Sequence, residues 1–177
     1  MLAITQLAEQ LGQQLLKNHI CVTTAESCTG GGIAEAITRI AGSSAWFEVG
    51  FVTYSNAQKI RVLQVAEADL QRDGAVSQSV VESMARGAQK LSGAQYSVAV
   101  SGVAGPGGGS ADKPVGTVWL AWASADQVQS GCWRFAGDRH AVRQQTVRAA
   151  LAGLLCVIEG QAANTWQQRL NKDLPNQ

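Results

Sequence analysis

The chain has 177 residues, 46% of them hydrophobic and only 15% charged, with a formal net charge of +1. That length suits one compact domain, and the composition supplies a sizeable core and argues against disorder. No basic block appears and no apolar run is long enough to span a bilayer, so neither nucleic acid nor membrane is an expected partner.

Leu7, Leu11 and Leu15 recur every four residues and predict an amphipathic helix ending near Asn18. Residues 20–24 read as a short buried strand. Residues 32–40 predict a helix with Ile33, Ala36, Ile37 and Ile40 on one face, broken at Ala41-Gly42-Ser43-Ser44. Residues 46–54 are aromatic and β-branched and predict a strand. Helical patterns follow at 56–63 and 66–72, the second stopped by Asp73-Gly74. Ser77 or Ser79 caps a helix to about Leu91, and Ser79-Val80-Val81-Glu82 matches a capping box. Residues 96–101 read as a buried strand, 102–114 as a glycine-rich loop, and 115–123 and 127–135 as a hairpin. Asp138 starts a last long helix through about Glu159. A polar tail, 161–177, remains, with Trp166 and Leu170 as docking residues.

Helices interleaved with strands and closed by a hairpin predict an α/β fold. The expected architecture is a single-domain three-layer α/β/α sandwich with a mixed, mostly parallel sheet, spanning 1–160. Ligands in such folds gather at the carboxyl ends of strands. Three polar or glycine-rich segments fall at predicted strand ends: the one around Ser27, Tyr54-Ser55, and the run from Gly102.

The four cysteines, Cys21, Cys28, Cys132 and Cys156, form no C-x-x-C pair and stand at no zinc spacing with His19 or His140. The start lacks the pattern of a signal peptide. A reduced, cytoplasmic setting follows, with each cysteine read as small core filler. Nothing calls for a metal or an organic cofactor.

The run Thr23-Thr24-Ala25-Glu26-Ser27-Cys28-Thr29-Gly30-Gly31-Gly32 carries the most chemistry. It sets a hydroxyl beside free backbone N–H groups where a strand gives way to a helix. Such groups bind a phosphate or stabilise an acyl-transfer oxyanion. Cys28, Thr29, Gly30 and Gly31 are the candidate donors. A histidine-based triad lacks a suitably placed His, and no Gly-x-Ser-x-Gly elbow surrounds Ser27. A lysine is the alternative base. Lys59 lies just past a predicted strand end, and either serves Ser27 as a neutral amine or is a solvated helix lysine. Tyr54 either bonds or relays protons for that pair or is a wet strand-end aromatic. The loop 101–110, with Ser101, Gly102 and Gly105, is either a close-approach ligand loop or a flexible crossover. Arg143, in the first turns of the last helix, suits an anion clamp or an exposed surface position.

Several motifs occur in order. They are Thr23 to Gly31, Ala41-Gly42-Ser43-Ser44-Ala45-Trp46-Phe47, Gly50-Phe51-Val52-Thr53-Tyr54-Ser55-Asn56 with Lys59, and Ala75-Val76-Ser77. Ser101-Gly102-Val103-Ala104-Gly105-Pro106, Lys113 to Trp119 and Gly137-Asp138-Arg139 continue the series. Together they resemble the CinA C-terminal domain family in its stand-alone, amidohydrolase form, over about residues 7–159. The resemblance implies hydrolysis of the carboxamide of nicotinamide mononucleotide (NMN) to nicotinate mononucleotide and ammonia, in pyridine-nucleotide salvage. It implies Ser27 and Lys59 as the catalytic pair and Tyr54 as the active-site tyrosine. It implies Gly42, Ser44, Ser101 and Arg143 as substrate contacts, with Arg139 the competitor for the arginine, and a homo-oligomer, dimer or higher. The family often carries threonine where Ser101 stands. Its larger members add a pyrophosphatase domain, so no metal-dependent pyrophosphatase function is expected here. Two rival readings remain: a non-catalytic nucleotide-binding module, and a Ser–Lys amidase acting on another substrate.

Overall fold

The computed structural model describes residues 3–171. In chain order the elements are α1 (Ile4–Asn18), β1 (Val22–Glu26), α2 (Gly32–Thr38), β2 (Gly50–Val52), α3 (Asn56–Leu63), α4 (Glu67–Asp73) and α5 (Gln78–Ser92). Then come β3 (Tyr96–Gly102), β4 (Thr117–Ala123), β5 (Val128–Arg134), α6 (Arg139–Ile158) and α7 (Trp166–Asn171), with 3-10 turns at Ser43–Ala45 and Ala163–Thr165. The sheet order is β2-β1-β3-β4-β5. β1 pairs in parallel with β2 and β3, while β4 runs antiparallel to both β3 and β5. Only β4 is therefore reversed, and the sheet is mixed with most strands pointing one way.

Alternation along the strands builds two cores. Val22, Val98, Val100, Val118, Leu120 and Trp122 face α1, α2 and α6. Ala25, Ala99, Ala121 and Ala123 face α5 and its neighbours α3 and α4. The small residues on that second face let α5 lie close to the sheet. Gly87 of α5 also lets it approach α3, because a Cβ there would strike the Leu63 carbonyl. Three layers result, as the interleaved pattern predicts.

Several boundaries differ from expectation, each for a physical reason. β1 runs on to Glu26, because that residue is buried at the strand's end and fully hydrogen-bonded. The strand expected at 46–54 shrinks to three residues. Trp46 instead turns into the helical layer and covers Gly12 of α1, whose added Cβ would lie 2.8 Å from the indole. The capping box does not form. Ser77 is the N-cap of α5, Ser79 Oγ donates to Asp73 Oδ2 at 2.6 Å, and Glu82 accepts from Gln78 and Ser130. Asp138 does cap α6, accepting from Ala141 N–H at 2.8 Å. Of the segment set apart as a tail, residues 161–171 pack on the sandwich. Trp166 and Leu170 are buried, and Trp166 meets Trp133 edge-on at 5.6 Å. Residues 172–177 lie outside the described residues. Cys28 and Cys156 are buried as expected, but Cys132 is exposed on the edge strand β5.

α6 crosses the sheet at Gly153, directly over Trp122, whose Nε1–H donates to Ala150 O at 3.0 Å. A methyl at 153 would drive into the indole, and overpacking of this kind costs about 1–3 kcal/mol. Gly153→Ala is expected to lower unfolding free energy by that amount in urea titration without altering the far-ultraviolet dichroism.

Candidate active site

The carboxyl ends of β2, β1 and β3 meet at the point where the strand order turns around β1. Thr53 N–H donates to Glu26 O at 2.9 Å and Ser27 N–H donates to Val100 O at 3.1 Å. Thr53, Ser27 and Ser101 follow the register set by Val52, Glu26 and Val100, so three hydroxyl residues stand side by side.

Lys59 comes to this row from the first turn of α3. Ser55 caps that helix, its Oγ accepting from Gln58 N–H at 3.3 Å. The Lys59 side chain is 1% exposed. Its Nζ stands 3.0 Å from Ser27 Oγ, 2.8 Å from Thr53 O and 3.3 Å from Tyr54 O. Among the described residues no carboxylate touches it. Burial pushes the amine below the usual lysine range. The one opposing influence, Cys28, needs a thiolate, and burial pushes that thiol up to about 12. As it stands Nζ donates to both carbonyls and to Ser27 Oγ; once neutral, it keeps two N–H groups for the carbonyls and frees a lone pair for the serine hydroxyl.

The loop 27–31 is tightly held. Gly30 N–H donates to Ser27 O at 3.0 Å and Gly31 N–H to Glu26 Oε2 at 3.1 Å. Two of the four expected anion donors are thus already spent. Among the described residues the N–H groups of Cys28 and Thr29 reach no acceptor on another residue. Arg143 fastens the loop from α6, donating to Thr29 O at 2.7 Å.

Tyr54 departs from expectation. Its side chain is exposed, and its hydroxyl accepts from Arg139 at 2.8 Å. Only its main-chain carbonyl reaches Lys59, so the hydroxyl is not in line to relay that amine's proton. Arg139 also donates to Gly105 O at 2.9 Å and so ties the β2 end to the glycine loop. Gly105 and Pro106 join Arg139, His140 and Arg143 around a cavity of about 660 Å³. Both competing arginines therefore face the same space.

Ser101 is buried beside Ser27. Gly102 has a packing reason, since a Cβ there would lie 2.6 Å from Val118 Cγ2. Gly42 and Ser44 are not brought to the site within this chain. Their loop lies at the opposite end of β1, where Val22 N–H donates to Trp46 O at 2.9 Å and Thr23 Oγ1 to Val49 O at 2.7 Å. The reason is that α2 carries the chain from the Ser27 end back to the amino ends of the strands. His140 is exposed at the start of α6, and Ser27's basic neighbour is Lys59, so no histidine triad forms. Glu26 was the residue overlooked in the sequence. An acid between a buried strand and a helix start was its available signal.

Comparisons with known proteins place the chain in a family. The CinA C-terminal domain model matches residues 4–158. The chain belongs to the CinA C-terminal domain family. It is 66% identical over 152 residues to a Pseudomonas putida protein named nicotinamide-nucleotide amidohydrolase PncC, covering 86% of this chain and 95% of the relative. It is 55% identical over 154 residues to the Escherichia coli K12 protein of the same name, covering 85% and 92%. Among solved structures of the CinA family, the competence/damage inducible protein CihA of Agrobacterium tumefaciens superposes with a TM-score of 0.85 at 44% identity. That match covers 90% of this chain and 99% of the other. Among the described residues no helix is long and apolar enough to cross a membrane, and no cluster of His, Cys, Asp or Glu is arranged to hold a metal.

A thiol held protonated resists alkylation. Iodoacetamide at pH 8 is expected to modify exposed Cys132 well before Cys28, read by peptide mass mapping of the folded protein. Rapid labelling at Cys28 would contradict the burial argument.

Proposed function

We propose that this CinA-family chain is an amidohydrolase that converts NMN to nicotinate mononucleotide and ammonia through an acyl-enzyme on Ser27. The contact between the buried Lys59 amine and Ser27 Oγ carries the reading. The names of the two bacterial relatives supply the substrate.

Neutral Lys59 takes the hydroxyl proton as Ser27 Oγ bonds to the carboxamide carbon. The oxygen of that carbonyl becomes an oxyanion, and the N–H groups of Cys28 and Thr29 are the donors left to receive it. The C–N bond then breaks. Protonated Lys59 gives its proton to the leaving nitrogen, and ammonia departs. Water next attacks the ester carbon and gives one proton to Lys59, which passes it to Ser27 Oγ as the C–Oγ bond breaks, while the new acid's remaining proton is lost to solvent. The carboxylate of nicotinate mononucleotide is released. The pyridinium charge makes the carbonyl more electrophilic and disfavours a second positive charge on Lys59. The 660 Å³ cavity bearing Arg139 and Arg143 suits the nucleotide's phosphate. Gly42 and Ser44 have no part in this single-chain reading.

Ser27→Ala and Lys59→Ala are each expected to abolish ammonia release from NMN in folded protein. Near-wild-type release from either would reject the pair. The pH dependence has a definite sign. The base acts as a neutral amine, so kcat/KM should rise with pH through a value below the ordinary 10.5 of lysine and then level. Stability follows the same titration. Between the lowered folded value and 10.5 the unfolded chain holds more protons, so stability increases with pH there. Lys59→Met should therefore be inactive but at least as stable as wild type at pH 7, with the gap narrowing as pH approaches 10.5.

The phosphate clamp has its own test. A charge-assisted hydrogen bond is worth about 1.5–3 kcal/mol. Nicotinamide riboside should thus show kcat/KM lower than NMN by roughly ten- to a hundredfold. Arg143→Ala should remove most of that discrimination.

A further inference from the structure

β1 ends on an acid that the mechanism above does not use. Glu26 is fully buried. Its Oε2 accepts from Thr29 Oγ1 at 2.5 Å, from Gly31 N–H at 3.1 Å and from Ile33 N–H at 3.0 Å. Its Oε1 accepts from Ala34 N–H at 2.8 Å. A buried carboxylate is costly unless its lone pairs are filled, and four charge-assisted bonds fill these.

Two consequences follow. Of the N–H groups that open α2, those of Ile33 and Ala34 are spent on the protein's own carboxylate and that of Gly32 on Thr29 O, so α2 offers them to no ligand. The loop between is also clamped at Thr29 from both sides, by Glu26 at the hydroxyl and by Arg143 at the carbonyl. Within this frame, among the described residues, only the N–H groups of Cys28 and Thr29 reach no acceptor on another residue.

We propose that Glu26 is the positioning residue of the oxyanion donors. By holding Thr29, Gly31, Ile33 and Ala34, it sets the loop so that the Cys28 and Thr29 N–H groups face the reacting carbonyl. It touches neither substrate nor Ser27 Oγ and acts through the loop. This rests on the Ser27–Lys59 reading and deepens it.

Glu26→Gln keeps the size of the side chain but replaces one acceptor with an N–H pair. In the better orientation that pair faces Ala34 N–H, donor against donor. The test uses an alkyl fluorophosphonate, which needs no nucleotide. Ser27 Oγ forms the P–O bond, the P–F bond breaks, fluoride leaves, and the serine proton passes to Lys59. Since one oxyanion donor is commonly worth about a hundredfold or more, phosphonylation of Ser27 should slow by at least about tenfold when the donors are disordered. On NMN, kcat should fall in parallel, while KM stays within about twofold.

Thr29 provides a second route if Glu26→Gln does not fold. Thr29→Val deletes the hydroxyl that meets Glu26, and should slow labelling. Thr29→Ser keeps it, and should label at close to the wild-type rate. Wild-type labelling of folded Glu26→Gln or of Thr29→Val would overturn the proposal. So would a loss that falls wholly in KM. Should wild type label at Ser27 yet release no ammonia from NMN, the substrate assignment fails while the labelling rates still decide the role of Glu26.

Discussion

One amine taken out of water sets the character of the proposed site. Lys59 Nζ is enclosed by Ser27 Oγ and two main-chain carbonyls, with no carboxylate of the described residues in contact. Carbonyls satisfy N–H groups without the full charge that would hold an ammonium in place. Desolvation therefore wins, and the amine is pushed toward its basic form. That arrangement works against stability, because the unfolded chain holds its lysine proton in water. The two cores on either side of the sheet offset the loss. A site of this kind is a local departure from the best packing, tolerated where it serves chemistry.

The electrostatics of the site divide between two layers. Positive charge sits on α6, where Arg139 and Arg143 border the cavity. Negative charge sits at the end of β1, where Glu26 is sealed under the serine loop. The carboxylate has taken the α2 donors that a nucleotide phosphate would otherwise find attractive. In the proposed reading the phosphate therefore goes to the arginines, and the serine loop is left to a smaller, transient charge. Tyr54 joins the two regions through its main chain at Lys59 and its hydroxyl at Arg139.

Much of this was legible in the residue order. The apolar periodicity of α1, the buried run of β3, the aspartate cap of α6 and the hairpin of β4 and β5 all follow local rules, and the structure obeys them. The pairing of Ser27 with Lys59 was also reachable, since each falls just past a strand end. What local rules missed is long-range. Trp46 looks like a strand residue until Gly12, thirty-four positions earlier, opens a place for its indole. Ser79 looks like a cap until Asp73 claims its hydroxyl. Glycine count alone made four loop amides look equally free, whereas Glu26 and Ser27 O had already engaged two of them. Gly42 and Ser44 share the family pattern, but helix direction carries them to the far end of the strands.

The position of β1 between two parallel neighbours has a consequence for how the chain becomes active. Parallel partners require long crossovers, and contacts of such high sequence separation form late and slowly. A nascent polypeptide that has emerged only through α3 already contains the serine and the lysine, yet lacks the β3 carbonyl that pins Ser27. Its lysine is still hydrated and carries an ordinary ammonium. In the proposed mechanism hydrolytic competence thus arrives with the final topology, so an incompletely folded copy carries no activated serine.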